Sequence, residues 1–160
     1  MPEIYEQEEA SIGVAEIRYA IEAGRGERTE FYATIPENED RLAVTACSLA
    51  NNGGGQILIG VDKEGNRIGI DSPNVEEIVK EVLDRNLERR RDRKYFTSVE
   101  ETNNCNILII IIDEFKDFPL MADGRFYIRH QRDDLLLTPV DVFYLMRGIE
   151  PDEIEQDQRS

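Results

Sequence analysis

This 160-residue chain has only one histidine and two cysteines. A Cys/His zinc site is thereby excluded, because a closed tetrahedral site needs more of them. Cys47 and Cys105 fall in apolar stretches and read as free thiols, the usual state in a cytoplasmic setting. Long apolar runs are missing as well. A membrane helix takes about 18 apolar residues or more, whereas the longest run, Ile107 to Ile112, has six and suits a central strand. The opening MPEIYEQEEA lacks the basic and apolar pattern of a signal peptide. No repeat and no low-complexity segment is present. The expectation is a cytoplasmic protein with no membrane partner.

Positive charge is scarce overall and concentrated locally. The formal net charge is −15. Residues 1–10 hold four acids and no base, and residues 149–160 hold five acids and one Arg. Without those ends the remainder is near −7. Within it lies a basic cluster of Arg85, Arg89, Arg90, Arg91, Arg93 and Lys94, and a looser group of Arg125, Arg129 and Arg132. Acidic ends read as solvated tails at 1–12 and 149–160, flanking one domain at 13–148.

Periodicity outlines that domain. Ser11 to Ala23 carries an imperfect helical stripe that ends at Gly24. Thr29 to Ile35 reads as a strand. A helix capped by Asn38 or Asp40 then runs to Ala50. Gln56 to Asp62 and Arg67 to Ile70 read as strands around a Glu64-Gly65-Asn66 turn. Ser72 or Asn74 caps a helix whose apolar face is Val75, Ile78, Val79, Val82, Leu83 and Leu87. Tyr95 to Glu100 and Asn106 to Asp113 form a hairpin over Asn103-Asn104. Phe126 to His130 and Leu135 to Leu137 are shorter strands, and Pro139 starts a helix that reaches Gly148. The class is α+β, a mixed sheet with flanking helices.

The glycine run Gly53-Gly54-Gly55 follows a helix and precedes a strand. A P-loop or Rossmann loop has the reverse order, with phosphate on the helix N-terminus. A helix C-terminus carries the wrong partial charge for phosphate, and no lysine follows Gly55. The run reads as a cap and tight reversal, with a backbone-lined ligand surface at Asn51, Asn52, Gly54 and Gly55 as the other reading. For the basic cluster, Arg85, Arg89 and Arg93 are spaced to share one helix side, with Tyr95 and Phe96 alongside. Such a face can track phosphates and stack bases; cations at a helix C-terminus also satisfy the helix dipole without a ligand.

Taken in order, several short motifs resemble the AlbA-like domain of the Schlafen family, a domain also labelled DNA-binding and ATPase-associated. They are Gly24-Arg25 with Glu30-Phe31-Tyr32, then Leu49-Ala50-Asn51-Asn52-Gly53-Gly54-Gly55, then Ile59-Gly60-Val61-Asp62-Lys63 and Ile68-Gly69-Ile70. Phe118-Pro119 and Gly124-Arg125-Phe126-Tyr127-Ile128-Arg129 are similar to the family's later proline and Tyr-x-Arg segment. The resemblance implies an Alba-type α+β fold and nucleic-acid binding to DNA or RNA. Some family members are endoribonucleases that hold a divalent ion on carboxylates. By position those would be Arg25, Glu30 and Asp62 here, with Arg25 replacing the first acid and Glu27 a substitute close by. Tyr32 and Lys63 stand where the family has Lys and a second Asp.

A divalent ion such as Mg²⁺ or Mn²⁺ needs several hard oxygen ligands, so this set is weakened. Glu27, Glu30 and Asp62 are the catalytic candidates, with Glu30 and Asp62 as metal ligands if the chain is a nuclease. Glu27 and Asp62 also read as ordinary surface and turn residues. The overall expectation is a non-catalytic nucleic-acid-binding module with no certain cofactor. Its phosphate contacts are Arg85, Arg89, Arg90, Arg91, Arg93, Lys94 and Arg129. The alternatives are a metal-dependent ribonuclease, a protein-interaction or homo-oligomerisation module, and an ATP-binding domain.

Overall fold

A computed structural model describes residues 2–88, 95–115 and 119–149, with the backbone alone at 2–12 and 88. The described elements are helices α1 (Pro2–Ala23), α2 (Asp40–Ala50), α3 (Val75–Asn86) and α4 (Pro139–Met146), and eight strands. The strands are β1 (Thr29–Tyr32), β2 (Gly55–Ile59), β3 (Leu87–Glu88), β4 (Tyr95–Thr102), β5 (Cys105–Ile112), β6 (Met121–Ala122), β7 (Arg125–His130) and β8 (Asp133–Leu137). They form two sheets. The first, ordered β1-β2-β5-β4, is mixed, with β1 parallel to β2 and the other pairs antiparallel. The second, ordered β3-β6-β7-β8, is antiparallel throughout. The α+β expectation holds, and the second sheet adds to it.

Strand alternation decides which layer covers which face. Leu58, Ile107 and Ile109 point to one face of the first sheet and are buried under Ile17 and Ala20 of α1. Ile57, Ile59, Leu108 and Ile110 point to the other face and pack with α2 and α3. In the second sheet, Ile128 and Leu137 pack on Val142 of α4, while Tyr127 packs toward the core that contains α2. Helix α2 therefore lies between two sheets. Its sequence suits that place: Ala43, Ala46, Cys47, Ser48 and Ala50 are all buried and small, so strands approach from both sides. Leu42 and Leu49 supply its large apolar anchors, each worth about 1.5–3 kcal/mol on burial.

The structure departs from the sequence reading in several places. Helix α1 begins at Pro2, so the residues read as an acidic tail continue the helix backbone; proline is at home in a first helical turn. The return strand at 67–70 is reduced to a single bridge, Val61 with Arg67. Gly60 (φ 102°) and Gly69 (φ 86°) leave the extended region there, and the Gly60 carbonyl accepts from both Ile68 and Gly69. Helix α2 has Glu39 at its N-cap position and α3 has Asn74, and neither makes a side-chain cap bond. By contrast, Thr138 and Asp141 form a reciprocal capping box around Pro139.

Cys47 shows what this layering does to a thiol. Burial pushes it up to about 12, and its Sγ donates to the Leu120 carbonyl at 3.3 Å. Mass spectrometry after alkylation of the folded protein should find Cys47 unmodified at pH 8, because the thiolate is the nucleophile. The half-buried Cys105 should react first. Modification of Cys47 at the rate seen in denaturant would contradict this packing.

Candidate functional site

Glu30 sits in β1, the strand after the Gly24–Gly26 turn, and is almost wholly buried. A carboxylate so placed needs partners, and four groups supply them. Arg25 donates through Nε at 2.5 Å and a second guanidinium nitrogen at 3.1 Å. Lys63 donates at 3.3 Å, Arg129 at 3.2 Å, and the Phe31 N–H at 2.8 Å. Burial pushes this carboxyl upward; the Arg25 bond, the Phe31 N–H and the charges of Lys63 and Arg129 outweigh it and bring it down to about 2. The partners shift too: the Glu30 bond raises Arg25, while burial lowers Lys63 despite its carboxylate neighbour.

Arg129 extends this cluster into the second sheet. Its side chain has no exposed surface. It donates to the Gly26 and Thr29 carbonyls at 2.9 and 3.2 Å, to Glu30, and to Asp134 at 2.8 Å. Asp134 is its register partner across the β7–β8 hairpin, and it also accepts from Thr45 at 2.8 Å and Ser48 at 2.5 Å. Thr45 shares a hydrogen bond of 2.7 Å with the Tyr32 hydroxyl. Burial raises Tyr32 although the Thr45 bond acts the other way, so it stays a neutral phenol. The Lys63 ammonium lies 4.6 Å from the Tyr32 ring centre. One polar network thus ties β1, α2, β7 and β8 together.

The fit to a divalent ion follows from these bonds. Both Glu30 oxygens are taken by cations, and a metal there would have to displace Arg25, Lys63 or Arg129. Asp62 is partly exposed, and both its oxygens turn back on its own loop, accepting from Glu64 and Asn66 at 2.9–3.0 Å. The Asn66 bonds hold its carboxyl below the usual range. Glu27 is exposed on the turn before β1. Among the described residues, no group of three His, Cys, Asp or Glu side chains could hold a metal. The residues present do not fit Mg²⁺ or Mn²⁺.

The glycine run is packed by the chain itself. Gly53 (φ 92°) and Gly54 (φ 88°) make the reversal. A Cβ on Gly54 would meet the Ile112 carbonyl at 2.6 Å, and one on Gly55 would run into the Arg28 carbonyl. Arg28 caps the run by donating to the Gly53 carbonyl at 2.6 Å. Asn51 clamps α2 to the second sheet: its amide donates to Leu120 and Tyr127 carbonyls at 3.0 and 2.8 Å and its oxygen accepts from the Leu120 N–H at 2.8 Å. The backbone N–H of Asn52 turns in to Leu49. Asn51, Gly54 and Gly55 hold the fold together at this point, in line with the reading of the run as a cap and tight reversal.

The basic residues divide. Arg129, read as a phosphate contact, is instead an interior cation. Arg85 is half-exposed and turned toward α2, 3.3 Å from Asp40 and 3.9 Å from Glu39. Helix α3 ends at Asn86 and Leu87 is extended, so the described helix carries Arg85 alone of the cluster. Arg89, Arg90, Arg91, Arg93 and Lys94 lie outside the described residues, as does Phe118. Phe96, two residues after that run, is 63% exposed on the edge strand β4. It pairs with Ile111, which pairs with Gln56 on β2, beyond the part of the sheet face that α1 covers.

Sequence reasoning missed Asp134, Thr45, Ser48 and Arg28. Two hydroxyl residues one turn apart in the buried, otherwise apolar stretch Leu42–Ala50 are the available signal for the first three.

Acid should loosen the network in a defined window. Glu30 has a depressed folded-state value, so its stabilisation is full above the unfolded carboxylate range near 4.5 and is lost as pH falls toward about 2. That shift corresponds to a loss on the order of 3 kcal/mol. Urea midpoints of the wild type should fall from pH 5 to pH 2.5 more steeply than those of Glu30→Gln. Parallel curves would contradict the role given to this carboxylate.

The Schlafen, AlbA_2 family model matches residues 26–138. Among solved structures, the DIP2311 protein of Corynebacterium diphtheriae matches with a TM-score of 0.60 and 16% identity, over 84% of this chain and 28% of that one. The chain thus spans under a third of that protein's length. The N-terminal domain of an ATP-dependent DNA helicase RecG-related protein from Nitrosomonas europaea matches with a TM-score of 0.43 and 15% identity, over 70% of this chain and 80% of that one. No curated protein matches at the same level.

Proposed function

Since the chain belongs to the Schlafen AlbA_2 family, we propose that it is a non-catalytic nucleic-acid-binding module acting in the cytoplasm. The observation that carries the non-catalytic part is the saturation of Glu30 by Arg25, Lys63 and Arg129. A carboxylate bonded on all sides holds two sheets together and has no lone pair left for a metal. Binding rests on the run Arg89, Arg90, Arg91, Arg93 and Lys94, which ends two residues before the exposed ring of Phe96. Arginines neutralise phosphates and release counterions, and an exposed aromatic on a sheet offers a face to an unpaired base. The test is a mixture of the protein with transfer RNA and with single- and double-stranded DNA, with and without Mn²⁺, read on native and denaturing gels. Retardation with intact nucleic acid is expected. Metal-dependent cleavage lost in Glu30→Ala or Asp62→Ala would instead establish the ribonuclease, and no retardation at low salt would end the binding proposal.

One surface favours a second reading, a protein contact or homodimer. On α4, Val140, Phe143 and Met146 are 59%, 51% and 65% exposed, an apolar face that carries one cation, the Arg147 guanidinium 4.4 Å from the Phe143 ring centre. Sedimentation of the wild type and of Phe143→Glu should then differ, with the variant monomeric. Identical monomeric profiles would remove the homodimer.

A further inference from the structure

The N-terminal end of α2 meets the β6–β7 hairpin and the last turn of α3 around a cleft of about 320 Å³. Its wall includes Arg41, Arg125, Asn38, Asp123 and Tyr127. The lining sets Arg41 and Arg125 against Asp40, Asp123 and Asp134, and pairing decides which of these charges stay open to a ligand. Asp134 reaches the cleft, yet its oxygens are taken by Thr45, Ser48 and Arg129. Asp40 is held through one oxygen, Oδ1, by Asn86 at 2.9 Å and Arg85 at 3.3 Å, which places its charge in an ion pair. Arg41 and Arg125 are exposed and make no salt bridge or side-chain hydrogen bond among the described residues. Two unpaired guanidinium groups therefore share a cleft with one unpaired acid, the exposed Asp123 on the β6–β7 turn.

We propose that this cleft binds a phosphate monoester carried on a nucleotide-sized group. Guanidinium forks match the oxygens of a terminal phosphate, which carries close to two negative charges at neutral pH. The volume lies at the lower end of the range of about 300–1,000 Å³ for small-molecule sites. Tyr127 gives the wall an aromatic surface, and Asp123 gives an acceptor for an amino group of the ligand. The phosphate can belong to a free mononucleotide or to the 5′ end of a strand. Every lining residue named here lies outside the basic run at 89–94.

The test uses amide NMR and calorimetry on the whole chain, titrated with adenosine 5′-monophosphate, inorganic phosphate, and short oligonucleotides with 5′-phosphate or 5′-hydroxyl ends. Adenosine monophosphate should shift amides at Arg41, Asp123 and Arg125. Arg41→Ala and Arg125→Ala should each weaken it about tenfold or more. Both residues are exposed, so thermal midpoints should stay near the wild type, and the triple variant Arg89→Ala, Arg90→Ala, Arg91→Ala should bind the monophosphate normally. A preference for the 5′-phosphorylated over the 5′-hydroxyl oligonucleotide would name the strand end as the source; equal binding of the two, with adenosine monophosphate still bound, would name the free nucleotide. Unchanged affinity in the double variant Arg41→Ala, Arg125→Ala, or inorganic phosphate binding as tightly as the nucleotide, would overturn the proposal.

Discussion

Arg129→Ala should lower the stability of this protein by about 3–5 kcal/mol, the cost of removing one partner from a buried ion cluster. The side chain is fully buried and bonds Glu30, Asp134 and the carbonyls of Gly26 and Thr29. Truncation leaves two carboxylates with reduced compensation and two carbonyls with a lost donor. Domains of this size are stable by only about 5–15 kcal/mol, so a large part of the fold's margin depends on one side chain. Arg129→Lys should recover only part of the loss, because an ammonium cannot reach acceptors on both sides as a planar fork does. Arg25 is 23% exposed, and Arg25→Ala should cost less, about 1.5–3 kcal/mol for a hydrogen bond to charge. Urea unfolding of the three variants checks the order. A stability for Arg129→Ala equal to that of the wild type would show that the network is not what joins the sheets.

The second large effect concerns binding. Replacing Arg89, Arg90 and Arg91 with Ala should weaken single-stranded nucleic acid about tenfold or more at low salt, with a smaller loss at high salt, because each phosphate contact releases counterions. Phe96→Ala should cost about 1–3 kcal/mol if a base stacks there, with little change in salt dependence. Its ring is largely exposed, so the fold should be unaffected. The pair separates charge from stacking. The acidic composition works against this face, and a net charge of −15 makes affinity depend on how well the local basic run is set apart from the acidic ends. Normal affinity in the triple variant would move the binding face elsewhere on the molecule.

Much of the fold was legible because burial wrote itself into periodicity. The stretch Ile107 to Ile110 is covered on both faces of β5, and alternate residues answer to α1 on one side and to α2 on the other. Asn103 and Asn104 sit at φ 49° and 64°, the positive values that a tight hairpin demands and that asparagine tolerates. The two-residue strands β3 and β6 were not legible, since pairs this short carry no period; with them went the second sheet. The site was harder for a different reason. Arg129 and Glu30 look like surface charges in sequence, and only the pairing of distant strands makes them interior. Their mutual neutralisation depends on contacts nearly 100 positions apart, which no local pattern records. The Gly53–Gly55 run shows the same limit: its need for glycine comes from Arg28 and Ile112, residues remote in sequence.

The most direct measurement is the affinity of the wild-type protein for a fluorescent single-stranded oligonucleotide across a salt series, in the presence of Mn²⁺, with the strand recovered afterwards. A linear fall of log affinity with log salt is expected, with a slope of about −0.7 for each phosphate neutralised, and the strand should return uncut. A flat salt profile, or a strand recovered in fragments, would contradict the account.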